Sequence, residues 1–100
     1  MVTLSKREIK KILDEIEGWE VCKNRPAIKR HFTFSDFNKA FSFMSAIAMK
    51  AERMDHHPEW RNIYNKLDII LTTHEEAGVT VMDINLARFI NKTYNGKNLS

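Results

Sequence analysis

One cysteine, Cys22, stands in the 100 residues. It leaves no intramolecular disulfide to form and no CxxC pair for a thiolate metal site, and its lack of any surrounding motif marks it as a small buried hydrophobe. No apolar run approaches the roughly 20 residues that a membrane-spanning helix needs, and no charged-then-apolar leader opens the chain, so a cytoplasmic protein is expected, not an exported or membrane-bound one. Charge of one sign is also lacking. Sixteen basic residues face 13 acidic ones for a net charge of +3, spread along the chain, so the sequence pI of 9.1 exaggerates any nucleic-acid character and no direct nucleic-acid binding is expected. Internal repeats and low-complexity stretches are absent. What is there is 43% hydrophobic content, enough for one core and one domain over residues 1–100.

Periodicity divides the chain into seven elements. Ser5 and Glu8 have capping-box spacing, and Ile9, Ile12, Leu13 and Ile16 follow at helical intervals until Gly18. Trp19–Cys22 alternates like a strand, Asn24-Arg25-Pro26 makes a turn, and a return strand over Ala27–Phe34 places Ile28, Arg30, Phe32 and Phe34 on one face. His31 falls on the opposite, solvated face. Ser35 is placed to cap a long helix whose stripe of Phe37, Ala40, Phe41, Met44, Ile47, Ala48, Ala51 and Met54 is expected to pack on the sheet. Its other side carries the small, uncharged set Ser42, Ser45, Ala46 and Met49, which fits either a tolerant surface or a contact between copies. Pro58 disfavours a helical His57, so the helix ends near Asp55. Two further strands, Arg61–Tyr64 and Leu67–Thr73, form a hairpin through Asn65-Lys66, with Leu67, Ile69 and Leu71 inward. Gly78 marks a turn, Thr80 and Asp83 cap a last helix with Met82, Leu86, Phe89, Ile90 and Tyr94 inward, and a frayed tail is expected over Asn95–Ser100. The order α-β-β-α-β-β-α predicts an α+β fold, a four-stranded, mainly antiparallel sheet with three helices on one face.

Chemistry concentrates where the long helix stops, in Glu52-Arg53-Met54-Asp55-His56-His57-Pro58-Glu59-Trp60, and at His74 just after the last strand. An imidazole titrates near neutrality, so His56 or His57 on one side of a substrate and His74 on the other could give and take a proton in a single elimination. Asp55, Glu52 or Asp83 could orient them. Zinc is a second reading, because histidines and carboxylates are its ligands, although no HExxH motif is present and successive residues leaving a helix point apart. A structural His-His-Pro turn is a third. The residues alone leave all three open. Trp60 and Tyr64 could stack on a flat heterocycle, but a large aromatic in a short strand is more often core.

The series Glu52, His56-His57-Pro58, Tyr64, His74 and Asp83, with these intervals, resembles the signature of the pterin-4a-carbinolamine dehydratases. The words Phe37-Asn38-Lys39-Ala40-Phe41, Asp55-His56-His57-Pro58-Glu59-Trp60, Tyr64-Asn65-Lys66, Thr73-His74-Glu75 and Asp83-Ile84-Asn85-Leu86-Ala87 are similar to the family in the same order, over about residues 18–94. The resemblance implies loss of water from 4a-hydroxytetrahydrobiopterin to give quinonoid dihydropterin, in tetrahydrobiopterin recycling, with no metal and no organic cofactor. By matching position it implies that His56 and His74 are general acid and base and that His57 binds and polarises the pterin. Asp55, Thr72, Thr73 and Glu75 would contact the substrate, while Glu52 and Asp83 would orient the histidines. It also implies a homotetramer, a dimer of dimers associating through the long helix, and for some members a scaffold role as dimerisation cofactor of a homeodomain transcription factor, hence a nuclear as well as a cytoplasmic location.

Overall fold

The computed structural model describes residues 2–96. Its elements are α1 (Lys6–Leu13), β1 (Glu20–Val21), β2 (Ile28–Thr33), α2 (Phe37–Met54), β3 (Glu59–Ile63), β4 (Lys66–Leu71), a 3-10 turn (His74–Glu76) and α3 (Val81–Gly96). The four strands form one sheet in the order β1-β2-β4-β3, every pair antiparallel. This is the expected α+β architecture.

Alternation along the two central strands decides which face is covered. Ile28 and Phe32 pair with Leu71 and Leu67, and with Ile69 they are buried, whereas Lys29, His31, Thr33, Lys66 and Asp68 stay exposed on the other face. All three helices therefore cover the one apolar face, contributing Ile9, then Ala40, Phe43 and Ile47, then Ile84, Leu86, Ala87 and Ile90 to a single core. Phe32, Phe34, Phe43 and Tyr94 meet there with ring centroids 5.1–6.4 Å apart. Full burial of each such side chain contributes about 1.5–3 kcal/mol. Arg30, on the same face of β2, lays its guanidinium over Phe32 and donates to Asn91 Oδ1 and to the Glu17 carbonyl, while Trp19 Nε1 shares the Asn91 oxygen. Gly18, at φ +85°, makes room for it, since a Cβ there would run into the Arg30 side chain.

The structure departs from the sequence reading at several points. In α2 the core side is Ala40, Phe43, Ile47 and Ala51, flanked by Met44 and Met54, whereas Phe37, Phe41 and Ala48 are exposed. The predicted stripe was too broad. Phe43 is fully buried on the inward arc, whereas Phe37 and Phe41 lie off it, with their rings in tilted contact at 5.9 Å. Asp36 rather than Ser35 caps this helix, because its carboxylate reaches the Lys39 N–H at 2.8 Å. β3 starts two residues early, at Glu59, which pairs with Ile70, and the hairpin turns at Tyr64-Asn65. Tyr64 is thus no core aromatic: it is 62% exposed, with φ at 51°. Trp60 does pack against the core. Thr72 and Thr73 lie beyond β4 rather than in it, and α3 continues through Asn95 and Gly96, the remainder of the expected frayed tail lying outside the described residues.

Candidate active site

The first histidine pair is placed by the way α2 ends. Asp55 adopts a left-handed conformation (φ 53°, ψ 44°), its N–H bonds the Glu52 carbonyl at 3.1 Å, and the N–H of His56 reaches back to the Ala51 carbonyl at 3.0 Å. That crossed pair of bonds is a Schellman motif, which normally turns the residue after the left-handed one back against the helix. Here that residue is His56, only 8% exposed. His57, which the following Pro58 disfavours from helical geometry, is exposed, and the chain enters β3 at Glu59.

His74 arrives from the other side. Thr73 and Gly78 close an isolated bridge, with N–H···O bonds of 2.9 and 3.3 Å, and the 3-10 turn it encloses begins with His74. His56, His57 and His74 line one cleft of about 240 Å³ together with Asp55, Pro58, Glu59, Thr72 and Glu75.

Behind each histidine stands a carboxylate. His56 Nε2 meets Asp83 Oδ1 at 2.6 Å, His57 Nε2 meets Glu52 Oε1 at 2.8 Å, and His74 Nε2 meets Glu59 Oε2 at 2.8 Å. An ionised carboxylate has no proton to give, so Nε2–H is the donor in each pair and Nδ1 is the nitrogen left for a substrate. The three pairs differ in burial. Asp83 is fully buried and also accepts from Thr73 Oγ1 at 2.8 Å and from the Thr80 N–H at 2.9 Å, whereas Glu52 and His57 are both exposed. The Arg25 guanidinium, gripping Glu59 at 2.8 Å through both nitrogens, together with His74, holds the Glu59 carboxyl at about 2, well below its ordinary 4.5.

Of the residues singled out from sequence, Asp55, His56, His57, Thr72, His74 and Glu75 line the cleft, and Glu52 and Asp83 sit behind it, bonded to His57 and His56. Thr73 is brought elsewhere. Its hydroxyl is committed to Asp83 and Thr80 and it does not line the cleft. Thr72 donates to the Pro26 carbonyl at 2.8 Å. Sequence reasoning missed Glu59 and Arg25, although Glu59 lies within the stretch it chose; Arg25, 34 positions away, carried no signal beyond its place in a turn. Each histidine is tied to a different carboxylate, and among the described residues no three His, Cys, Asp or Glu side chains converge as a metal site. Among them, too, no helix is long and apolar enough to cross a membrane.

The family model described as "Pterin 4 alpha carbinolamine dehydratase" matches residues 2–93. A Rhodopseudomonas palustris (strain BisB18) protein provisionally named a pterin-4-alpha-carbinolamine dehydratase is 53% identical over 79 residues, 79% of this chain and 78% of its own. A Paraburkholderia xenovorans (strain LB400) protein with the same provisional name is 56% identical over 75 residues, 75% of this chain and 78% of its own. The crystal structure of a protein described as a transcriptional coactivator/pterin dehydratase from Brucella melitensis superposes with a TM-score of 0.89 at 46% identity, covering 91% of this chain and 97% of that one. With a match over nearly the whole chain in sequence and in fold, this protein belongs to the pterin-4a-carbinolamine dehydratase family.

Proposed function

We propose that the protein is a hydro-lyase that dehydrates 4a-hydroxytetrahydrobiopterin to quinonoid dihydropterin in tetrahydrobiopterin recycling. The observation that carries the reading is the convergence of His56, His57 and His74 on one cleft, each with Nε2 taken by its own carboxylate. A volume of about 240 Å³ suits a bicyclic heterocycle rather than a polymer. In the elimination, one imidazolium gives its proton to the C4a hydroxyl and the C–O bond breaks to release water. The electron pair of the neighbouring ring nitrogen closes the new double bond as the other imidazole takes that nitrogen's proton. His56 and His74 are the acid and the base, and His57, exposed at the rim, binds and polarises the ring. Asp55, Thr72 and Glu75 supply contacts, whereas Thr73 acts through Asp83. The reaction is redox-neutral and calls for no cofactor. The scaffold reading has no feature of the cleft behind it.

The test is ultraviolet-monitored loss of freshly made 4a-hydroxytetrahydropterin with a chelator present. Loss faster than the spontaneous rate, unchanged by chelation and reduced about 10²-fold to 10⁴-fold in His74→Ala, is expected. A rate no better than without protein, or one abolished by chelation and restored by zinc, refutes the assignment.

A further inference from the structure

Glu59 differs from the other two carboxylates in carrying a second ion. Arg25 Nη1 and Nη2 donate to Oε1 and Oε2, each at 2.8 Å, and Oε2 also accepts from His74 Nε2 at 2.8 Å. His74 itself needs such a tie. It is 63% exposed on a three-residue turn, so little else fixes its ring plane or decides which nitrogen carries the proton. A bidentate guanidinium–carboxylate pair is planar, which sets the direction of the remaining Oε2 lone pair. At this exposure the pair adds little stability, and its value is geometric.

We infer that Glu59 is a positioning residue for His74, with Arg25 clamping the carboxylate so that His74 keeps its proton on Nε2 and turns Nδ1 to the cleft. The kinetic consequence rests on the dehydratase reading; the tautomer does not. Glu59→Arg with Arg25→Glu separates this role from a merely structural one. The swap keeps a guanidinium–carboxylate pair but puts a group with only donors beside His74. His74 must then accept at Nε2, which moves its proton to Nδ1. Imposing the wrong tautomer on a catalytic histidine with the fold intact costs about 10⁴ in kcat in the serine protease template.

The experiment combines two-bond ¹H–¹⁵N correlation of the imidazoles in the free protein, above their titration, with kcat on the carbinolamine. Wild type should show the Nε2–H pattern for His74, and Arg25→Glu/Glu59→Arg the Nδ1–H pattern with kcat down about 10²-fold to 10⁴-fold. In Glu59→Gln the amide oxygen, at the Oε2 place, still accepts from both Arg25 and His74, so the Nε2–H pattern should persist with kcat at least about tenfold above that of the double variant. Thermal melts confirm that the compared variants are folded, as expected of a pair reversed at a part-exposed site. Retention of Nε2–H in the double variant overturns the inference, as does its turnover within about threefold of wild type, or Glu59→Gln turning over no better than it. Should wild type show no turnover while the tautomers switch as described, the dehydratase reading falls and the positioning role stands.

Discussion

Asp83 does two jobs, and two substitutions should pull them apart. It is the third residue of α3, where its Oδ2 accepts the Thr80 N–H at 2.9 Å while the Thr80 hydroxyl accepts the Met82 N–H at 3.2 Å, a capping arrangement at the helix start. The same carboxylate accepts from Thr73 and from His56. In Asp83→Ala the Thr73 hydroxyl can turn to Thr80, 2.8 Å away, but the buried Thr80 N–H and His56 Nε2–H are left without acceptors. At about 1–3 kcal/mol for each buried group left unmade, the expected loss is about 3–5 kcal/mol out of a typical total of about 5–15. The melting temperature should then fall by roughly 12 °C or more. In Asp83→Asn the amide carbonyl can keep the two donors at Oδ2, since the alternative sets NH₂ against N–H. The amide nitrogen therefore faces His56 and forces its proton to Nδ1. Stability should drop by only about 1–2 kcal/mol, while kcat falls about 10²-fold to 10⁴-fold. Circular-dichroism melts and the ultraviolet dehydration assay on both variants check this. An Asn variant that melts as low as the Ala variant, or one that turns over like wild type, refutes the division of labour.

Glu59 should leave a signature in acid. Its carboxyl is depressed from 4.5 to about 2, so its contribution is complete above pH 4.5 and is lost as pH falls toward 2. The unfolding free energies of wild type and Glu59→Gln should differ at neutral pH and converge over that window, by on the order of 1 kcal/mol because the side chain is 36% exposed and screened; a gap that widens in acid contradicts the ion-pair assignment. For assembly, the exposed apolar face of α2 is Phe37, Phe41 and Met49, at 45%, 55% and 63% exposure, so Phe41→Glu with Met49→Glu should split the tetramer implied by the resemblance while leaving the melting of the protomer little changed. Sedimentation of wild type as a monomer at micromolar concentration, or an unchanged tetramer in the variant, shows that this face is not the contact.

The sheet was legible because its central strands keep a period of two, with Leu67, Ile69 and Leu71 buried and Lys66 and Asp68 not, and only the inward Arg30 and the outward Ile70 depart from it by being part-buried. The capping box of α1 and the end of α2 at Asp55 were legible for an equally local reason, since a cap acts within four residues. Periodicity fails in α2 because every position from Ala40 to Met49 is apolar or small, so no charge there marks where the buried arc stops, and the pattern favours Phe41 over Phe43. It fails again at Tyr64, where a left-handed turn residue at φ 51° is not foreseeable from an aromatic side chain. The histidines and the carboxylates Glu52 and Asp83 could be named as candidates from the sequence because residue type limits who can move a proton, and the resemblance then chose among the readings that the residues left open. Arg25 could not, because its meeting with Glu59 depends on how the β1–β2 turn lies against the start of β3, a relation that no local pattern encodes.

The three carboxylates show why such a site can be held without a large core behind it. Each is fixed by something the fold already uses: Asp83 by the start of α3, Glu52 by the last turn of α2, and Glu59 by the first residue of β3 and its clamp to Arg25. Their burial runs from complete at Asp83 to 36% exposed at Glu59 and 79% at Glu52, so His56 has the driest partner and His57 the wettest, while the His57 and His74 rings are themselves about equally open, at 58% and 63%. A proton donor or acceptor gains from a fixed direction in a low-dielectric setting, whereas a group that admits and orients substrate must be reachable from solvent. The carboxylate gradient therefore sets His56 apart, in keeping with the proton transfer proposed for it, whereas at His74 a fixed direction comes from the Glu59–Arg25 clamp and not from burial. It also predicts an order of sensitivity. Loss of the partner carboxylate should damage turnover most at Asp83, next at Glu59 and least at Glu52, and a Glu52→Gln variant as crippled in kcat as Asp83→Asn would break the link between burial and role.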